Sequence, residues 1–167
     1  WSYPLQWQYE MYVPVLPGET GTLNYNGVDY LLYKSIDTSD NNAGIEHQTQ
    51  PTLYGFTANG KTSFKNADLS DGRHSYTARF FYQRTYHDLT MHNYNQIHLY
   101  KKLPYQDPLD DYGNTAPPYP STLEENAYTF SGWYYSPGCY DGSEYKAGDT
   151  MPGKNIGLYA KWTPVNH

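Results

Sequence analysis

Cysteine is the scarcest informative residue here, with Cys139 alone in a chain of 167 residues. One thiol excludes an internal disulfide framework and any zinc cluster built on cysteines. It fits a cytosolic protein and an exported protein without disulfides equally well. Basic residues are also few, with 11 Lys and Arg against 17 Asp and Glu and a net charge of −6. Lys101-Lys102 is the one adjacent basic pair, so nucleic acid is not an expected partner. No run approaches about 18 consecutive apolar residues, and no membrane-spanning helix is expected. The opening W-S-Y-P-L-Q-W-Q-Y lacks the charged and apolar regions of a signal peptide, and no sorting signal is seen at either end. The chain is therefore expected to be a fragment of a longer protein.

Catalytic patterns are missing too. There is no G-x-S-x-G elbow, no phosphate-cradling glycine loop and no Cys–His pair in a recognisable context. Neither an enzyme nor a cofactor is expected. Six histidines invite a metal reading, but none has the spacing of a helical H-x-x-x-H motif. His92 and His98 could face each other across the Asn93–Gln96 turn; a solvated strand face is the plainer reading. Asp37, Asp40, Asn41 and Asn42 imitate a calcium loop only loosely, because its twelfth position falls on Gln48. No metal site is expected.

Aromatics are what the chain has in abundance: 21 Tyr, 4 Trp and 5 Phe, together with 12 Pro and 14 Gly. Tyrosine can supply buried area while its hydroxyl stays wet at the core margin. The composition favours short strands and many turns, a β-rich α+β chain. The strongest strand signal is Ser75–Tyr86, where Tyr76, Ala78, Phe80, Tyr82 and Arg84 share one face. Beyond Tyr86 the apolar parity moves to Leu89 and Met91, which marks a bulge or a handover between two cores. A boundary near Arg84–Tyr86 follows, dividing the chain into units 1–84 and 85–167 joined by one continuous strand.

Strands are expected in the first unit at Leu5–Val15, Leu23–Tyr25, Val28–Ser35, Pro51–Thr57 and Ser75–Arg84. Turns are expected at Pro17-Gly18, Asn26-Gly27, Asn59-Gly60 and Asp71-Gly72, and Asp37–Gly44 reads as a polar loop. In the second unit Thr85–Asn93, Gln96–Leu103, Tyr128–Tyr135 and Ile156–Trp162 read as strands. Short helices are expected at Asp107–Tyr112 and at Ser121–Asn126, the latter with capping-box spacing from Ser121 to Glu124.

Within the second unit, P-Y-Q-D-P-L (Pro104–Leu109), Y-T-F-S-G-W-Y (Tyr128–Tyr134), M-P-G-K-N-I (Met151–Ile156) and L-Y-A-K-W (Leu158–Trp162) follow one another in order. With the opening strand Tyr86–Met91 they resemble a Listeria–Bacteroides repeat of the internalin B-repeat type over residues 85–164. Ala127 stands where that family usually has glycine, and Met91 where an aromatic is common. More faintly, Y-G-F-T-A-N-G and Y-T-A-R-F-F-Y-Q-R-T in the first unit resemble the close of a MucBP-like repeat. The resemblance implies two tandem β-grasp-like modules on a bacterial cell surface, wall-anchored through other parts of the parent. Neighbouring repeats of the same polypeptide would be the partners.

Tyr76, Phe80, Tyr82, Tyr128, Phe130, Trp133, Leu158 and Trp162 are the expected structural core. Trp133 and Trp162 read as core plugs on closing strands rather than as a sugar-stacking platform. The N-terminal aromatics Trp1, Tyr3, Trp7, Tyr9 and Tyr12 are the binding candidates, and four of them share odd parity, although packing on a neighbouring sheet or a preceding domain is the plainer reading. They are the basis of the alternative to a stalk or spacer, an adhesin contacting host glycan or protein.

Overall fold

The computed structural model describes residues 6–38, 49–66 and 75–165. The chain divides into two compact units, Trp1–Arg84 and Thr85–His167. Among the described residues there are nine strands and one four-residue helix. The chain is β-rich.

In the first unit β1 (Gln6–Pro14), β2 (Leu23–Tyr25), β3 (Val28–Thr38), β4 (Phe56–Lys65) and β5 (Ser75–Arg84) form one sheet in the order β2-β3-β1-β5-β4. Its centre is the parallel pair β1–β5, with Trp7 beside Tyr76 and Met11 beside Phe80. The flanking pairs are antiparallel. Asn26 and Gly27 join β2 to β3 with φ of 51° and 82°, the positive pair a two-residue hairpin turn needs. Asn59-Gly60 is not a turn but a bulge inside β4. β4 accordingly starts at Phe56, later than the alternation around Pro51 suggests, and Asn59 Nδ2 donates to Tyr30 Oη at 3.1 Å.

Both faces of this sheet are covered at its centre. On one, Trp7 stacks on Tyr76 at 5.1 Å and Tyr9 meets Phe80 edge-on at 5.8 Å. On the other, Tyr12, Tyr30 and Phe81 form a cluster with Leu23 and Tyr25 around it. Arg84 closes β5, its guanidinium donating twice to the Pro14 carbonyl at 3.1 and 2.8 Å.

The second unit has β6 (Tyr86–Asn93), β7 (Gln96–Pro104), the helix α1 (Asp110–Gly113), β8 (Tyr128–Tyr134) and β9 (Ile156–Pro164). The sheet order is β7-β6-β9-β8, with β6 and β9 parallel at the centre. The strand order of the first unit is thus repeated, with the first and last strands side by side. The buried cluster comprises Leu89, Met91, Leu103, Leu109, Trp133, Met151 and Leu158.

Two expectations are corrected. Thr85 lies in neither strand, so β5 and β6 are separate strands of separate sheets rather than one continuous strand. Ser121–Asn126 is a run of turns, not a helix. Asn126 has φ of 65°, which a right-handed helix cannot include, and Ser121 Oγ accepts from Gln96 Nε2 at 3.1 Å.

Candidate functional site

The loop from Tyr135 to Asn155 carries most of the second unit's polar chemistry, and two anchors hold it. Tyr145 Oη donates to Asp110 Oδ1 and lies 3.0 Å from Asn114 Oδ1, while Gly148 N donates to Asp110 Oδ1 at 2.8 Å. Tyr135 Oη and Lys146 N both donate to Asp149 Oδ2, at 2.7 and 3.0 Å. The Tyr145 ring rests against the backbone of Gly113, where a Cβ would collide with it. This close approach accounts for the glycine at the end of α1.

Burial first, and then the bonds to Asp149 and Asp110, hold the Tyr135 and Tyr145 phenols well above the ordinary tyrosine range. The Tyr145 hydroxyl and the Gly148 amide hold the Asp110 carboxyl below its ordinary value. For the phenols the folded value exceeds the unfolded value of about 10. Their contribution is therefore complete below about pH 10 and is lost as pH rises beyond it toward the folded value. Between pH 9 and 12, unfolding monitored by amide exchange should show β8 and β9 losing stability with rising pH. Both phenols are partly open to water, so the slope should stay well below the limit of about 1.4 kcal/mol per pH unit for each tyrosine. Tyr135→Phe should make the slope shallower; an unchanged slope would mean that its phenol titrates normally.

A hollow of about 600 Å³ opens beside the second anchor, lined by Tyr135, Asp149, Thr150, Lys154 and Asn155. Asn155 Oδ1 accepts from the Asp88 amide at 2.8 Å, and the Tyr135 hydroxyl is engaged with Asp149. Tyr135, Asp149 and Asn155 thus have their polar groups bonded within the unit. No group of three or more His, Cys, Asp or Glu suited to a metal occurs among the described residues. His92 stacks on Tyr159 at 4.5 Å, while His98, at a bulge in β7, lies over Trp133 at 5.9 Å. Among the described residues no helix is long and apolar enough to cross a membrane.

A second, smaller groove of about 280 Å³ lies among Tyr94, Leu123, Tyr128, Cys139, Lys161 and Trp162. Trp162 is half-buried, with Tyr119 and Phe130 edge-on to it at 5.0 and 5.6 Å. Its indole N–H donates to Asn93 Oδ1 at 2.8 Å, and Asn93 Nδ2 donates to the Pro118 carbonyl at 2.7 Å. Asn93 is 4% exposed, so one buried amide fixes both the indole and the proline-rich segment. Its replacement by alanine orphans a donor and an acceptor and should cost about 1–3 kcal/mol. A red shift of the Trp162 fluorescence should accompany the lower denaturation midpoint. An unchanged midpoint would show that water replaces the amide.

Half of the expected core is fully buried. Phe80, Tyr82, Trp133 and Leu158 are buried, whereas Tyr76, Tyr128, Phe130 and Trp162 are half-buried at the core margin. Of the binding candidates, Trp1 and Tyr3 lie outside the described residues. Trp7 and Tyr12 are buried and Tyr9 is half-buried, so these three make no free aromatic surface. The parallel pairing of β1 with β5 sets Trp7 against Tyr76 at 5.1 Å on one face of the sheet and Tyr12 against Phe81 at 5.6 Å on the other. Trp7 Nε1 has no hydrogen-bond partner among the described residues. Of the loose calcium set, Asp37 falls at the end of β3 and Asp40, Asn41 and Asn42 lie outside the described residues.

Asn93 and the Tyr94 groove escaped sequence reasoning. The hairpin turn at 93–96 was legible, but nothing in it distinguishes a buried asparagine from an ordinary turn residue. No protein-family model matches this chain, and no curated protein does.

Proposed function

We propose that this chain is a non-catalytic segment of a bacterial cell-surface protein, two β-grasp-like modules serving as a stalk or spacer. The observation that carries the reading is the repeated topology. Each unit sets its first and last strands parallel at the centre of a mixed sheet, with antiparallel strands outside. The ordered motifs of residues 85–164, which resemble a Listeria–Bacteroides repeat, support the same reading. So do Tyr135, Asp149 and Asn155 of the larger hollow, whose polar groups are bonded within the unit. Neighbouring repeats of the same polypeptide are the partners this role requires, and the rest of the parent supplies the anchor.

Antibody raised against this segment should label intact cells of the source organism. Labelling only after lysis would overturn the surface location. Small-angle scattering tests the spacer role: two freely tumbling bodies would contradict a stalk. The alternative reading, an adhesin binding host glycan or protein through exposed aromatics, loses Trp7 and Tyr12 to burial. What favours it is the groove beside Trp162.

A further inference from the structure

We infer that the groove between Tyr94, Tyr128 and Trp162 is a binding site for one neutral pyranose ring. The inference rests on the adhesin reading and does not depend on the stalk. Three features carry it.

The first is the wall chemistry. Three aromatic residues and Leu123 border the groove together with Cys139 and Lys161, and the Lys161 ammonium lies 5.3 Å from the centre of the Tyr134 ring. An aromatic wall fits the C–H face of a sugar. The volume, about 280 Å³, is just below the range of ligand pockets, which begins at about 300 Å³. A single ring fits; an oligosaccharide would have to extend into solvent.

The second is preorganisation. Trp162 is fixed by its bond to buried Asn93. The tip of the β6–β7 hairpin is tied to the opposite wall, with Gln96 Nε2 donating to Ser121 Oγ at 3.1 Å and Thr122 Oγ1 donating to Asn95 Oδ1 at 3.0 Å. Tyr128 N donates to Tyr119 Oη at 3.0 Å, and that hydroxyl donates to the Glu124 carbonyl at 2.6 Å. Walls held in advance reduce the ordering cost of binding, which matters most for a weak ligand.

The third is backbone strain on both sides. Tyr94 and Cys139 have φ of 61° and 49°, in the left-handed region that disfavours side chains of their kind. Asparagine or glycine would turn the hairpin at Tyr94 more easily. The tyrosine is kept there with its side chain 60% exposed, at the mouth of the groove. Strain of this sort gathers at ligand sites.

The test is an amide NMR titration of the whole chain with methyl α-mannopyranoside, methyl β-galactopyranoside and N-acetylglucosamine. At least one should shift the amides of Tyr94, Gly138, Cys139 and Lys161, with Kd on the order of 1 mM for so small a ligand. Tyr94→Asn suits the left-handed backbone while removing the ring, and should weaken binding about tenfold. Tyr128→Ser serves as the second variant should the first disturb the hairpin, and Tyr100→Ser, in the middle of β7 and not among the groove's lining residues, should bind as the parent does. No shifts with any of the three sugars at about 50 mM, well above that Kd, would overturn the inference. So would shifts confined to the Asp149 hollow, or shifts that survive both groove variants. None of these outcomes bears on the surface location or on the stalk, which the labelling and scattering experiments decide separately.

Discussion

Trp133→Ala is expected to remove about 3–5 kcal/mol from the second unit, the range for truncating a buried aromatic. Trp133 is 2% exposed and packs among Leu89, Met91, Leu103, Leu109, Met151 and Leu158. Its indole N–H also donates to the Thr115 carbonyl at 2.9 Å, so the substitution strips a partner from the proline-flanked loop. A unit of this size has on the order of 4–12 kcal/mol in total, at about 0.05–0.15 kcal/mol per residue. The loss therefore takes the unit close to unfolding. With about 4–8 °C of melting temperature per kcal/mol, its midpoint should fall by at least about 12 °C. Amide exchange resolves the two units: β6–β9 should lose protection while β1–β5 keep it, because each unit has its own sheet. Trp133→Phe should recover part of the loss. A midpoint within a few degrees of the parent would mean that the surrounding loops collapse to fill the space.

Phe81→Ala should do to the first unit what Trp133→Ala does to the second. Phe81 is 1% exposed and is the ring on which its cluster converges. Tyr25 stacks on it at 4.0 Å, Tyr12 at 5.6 Å, and Tyr30 meets it edge-on at 4.9 Å. The expected cost is again about 3–5 kcal/mol, with aromatic contacts worth about 0.5–1.5 kcal/mol each at stake beyond burial. Near-ultraviolet circular dichroism should report the loss of the tyrosine environment, and amide exchange should place the lost protection in β1, β3 and β5. Phe81→Leu keeps most of the volume and should cost far less. Equal damage from both variants would point to stacking geometry rather than filled space.

Phe81 also shows where sequence reasoning stops. Alternation along Ser75–Arg84 located β5 and its apolar face, Tyr76 to Tyr82, because a strand's side chains alternate whatever the strand pairs with. It assigned Phe81 to the polar face with Thr77 and Arg79. That face is buried because Tyr25 of β2 and Tyr30 of β3 pack onto Phe81, at 4.0 and 4.9 Å, while the pairing of β1 with β5 brings Tyr12 alongside. No local pattern encodes that partner. Equally local, and equally legible, were β2, β7 and β8 to within a residue, and the Asn26-Gly27 turn with its positive φ pair.

The failures have the same cause. Asn59-Gly60 has turn chemistry, yet β5 holds it in register as a bulge. Ser121 and Glu124 have capping-box spacing, yet the serine hydroxyl is taken by Gln96 from the neighbouring hairpin. The N-terminal aromatics share a parity that suits an exposed stripe as well as packing on a neighbouring sheet, and the contact of Trp7 with Tyr76 realises the packing. For the candidate groove almost nothing was legible. Its walls come from a hairpin tip, a turn and a closing strand that are distant in the chain, and Trp162, expected as a core plug, is half-buried at its edge.

By itself the sequence determined the β-rich class, most strand positions and the parity change around Thr85. Those follow from side-chain periodicity and turn chemistry, which act over a few residues. Only the tertiary structure decided which aromatics are covered and which remain at a surface. That depends on strand pairing, above all β1 with β5 and β6 with β9, and pairing is fixed by the burial of residues far apart in the chain.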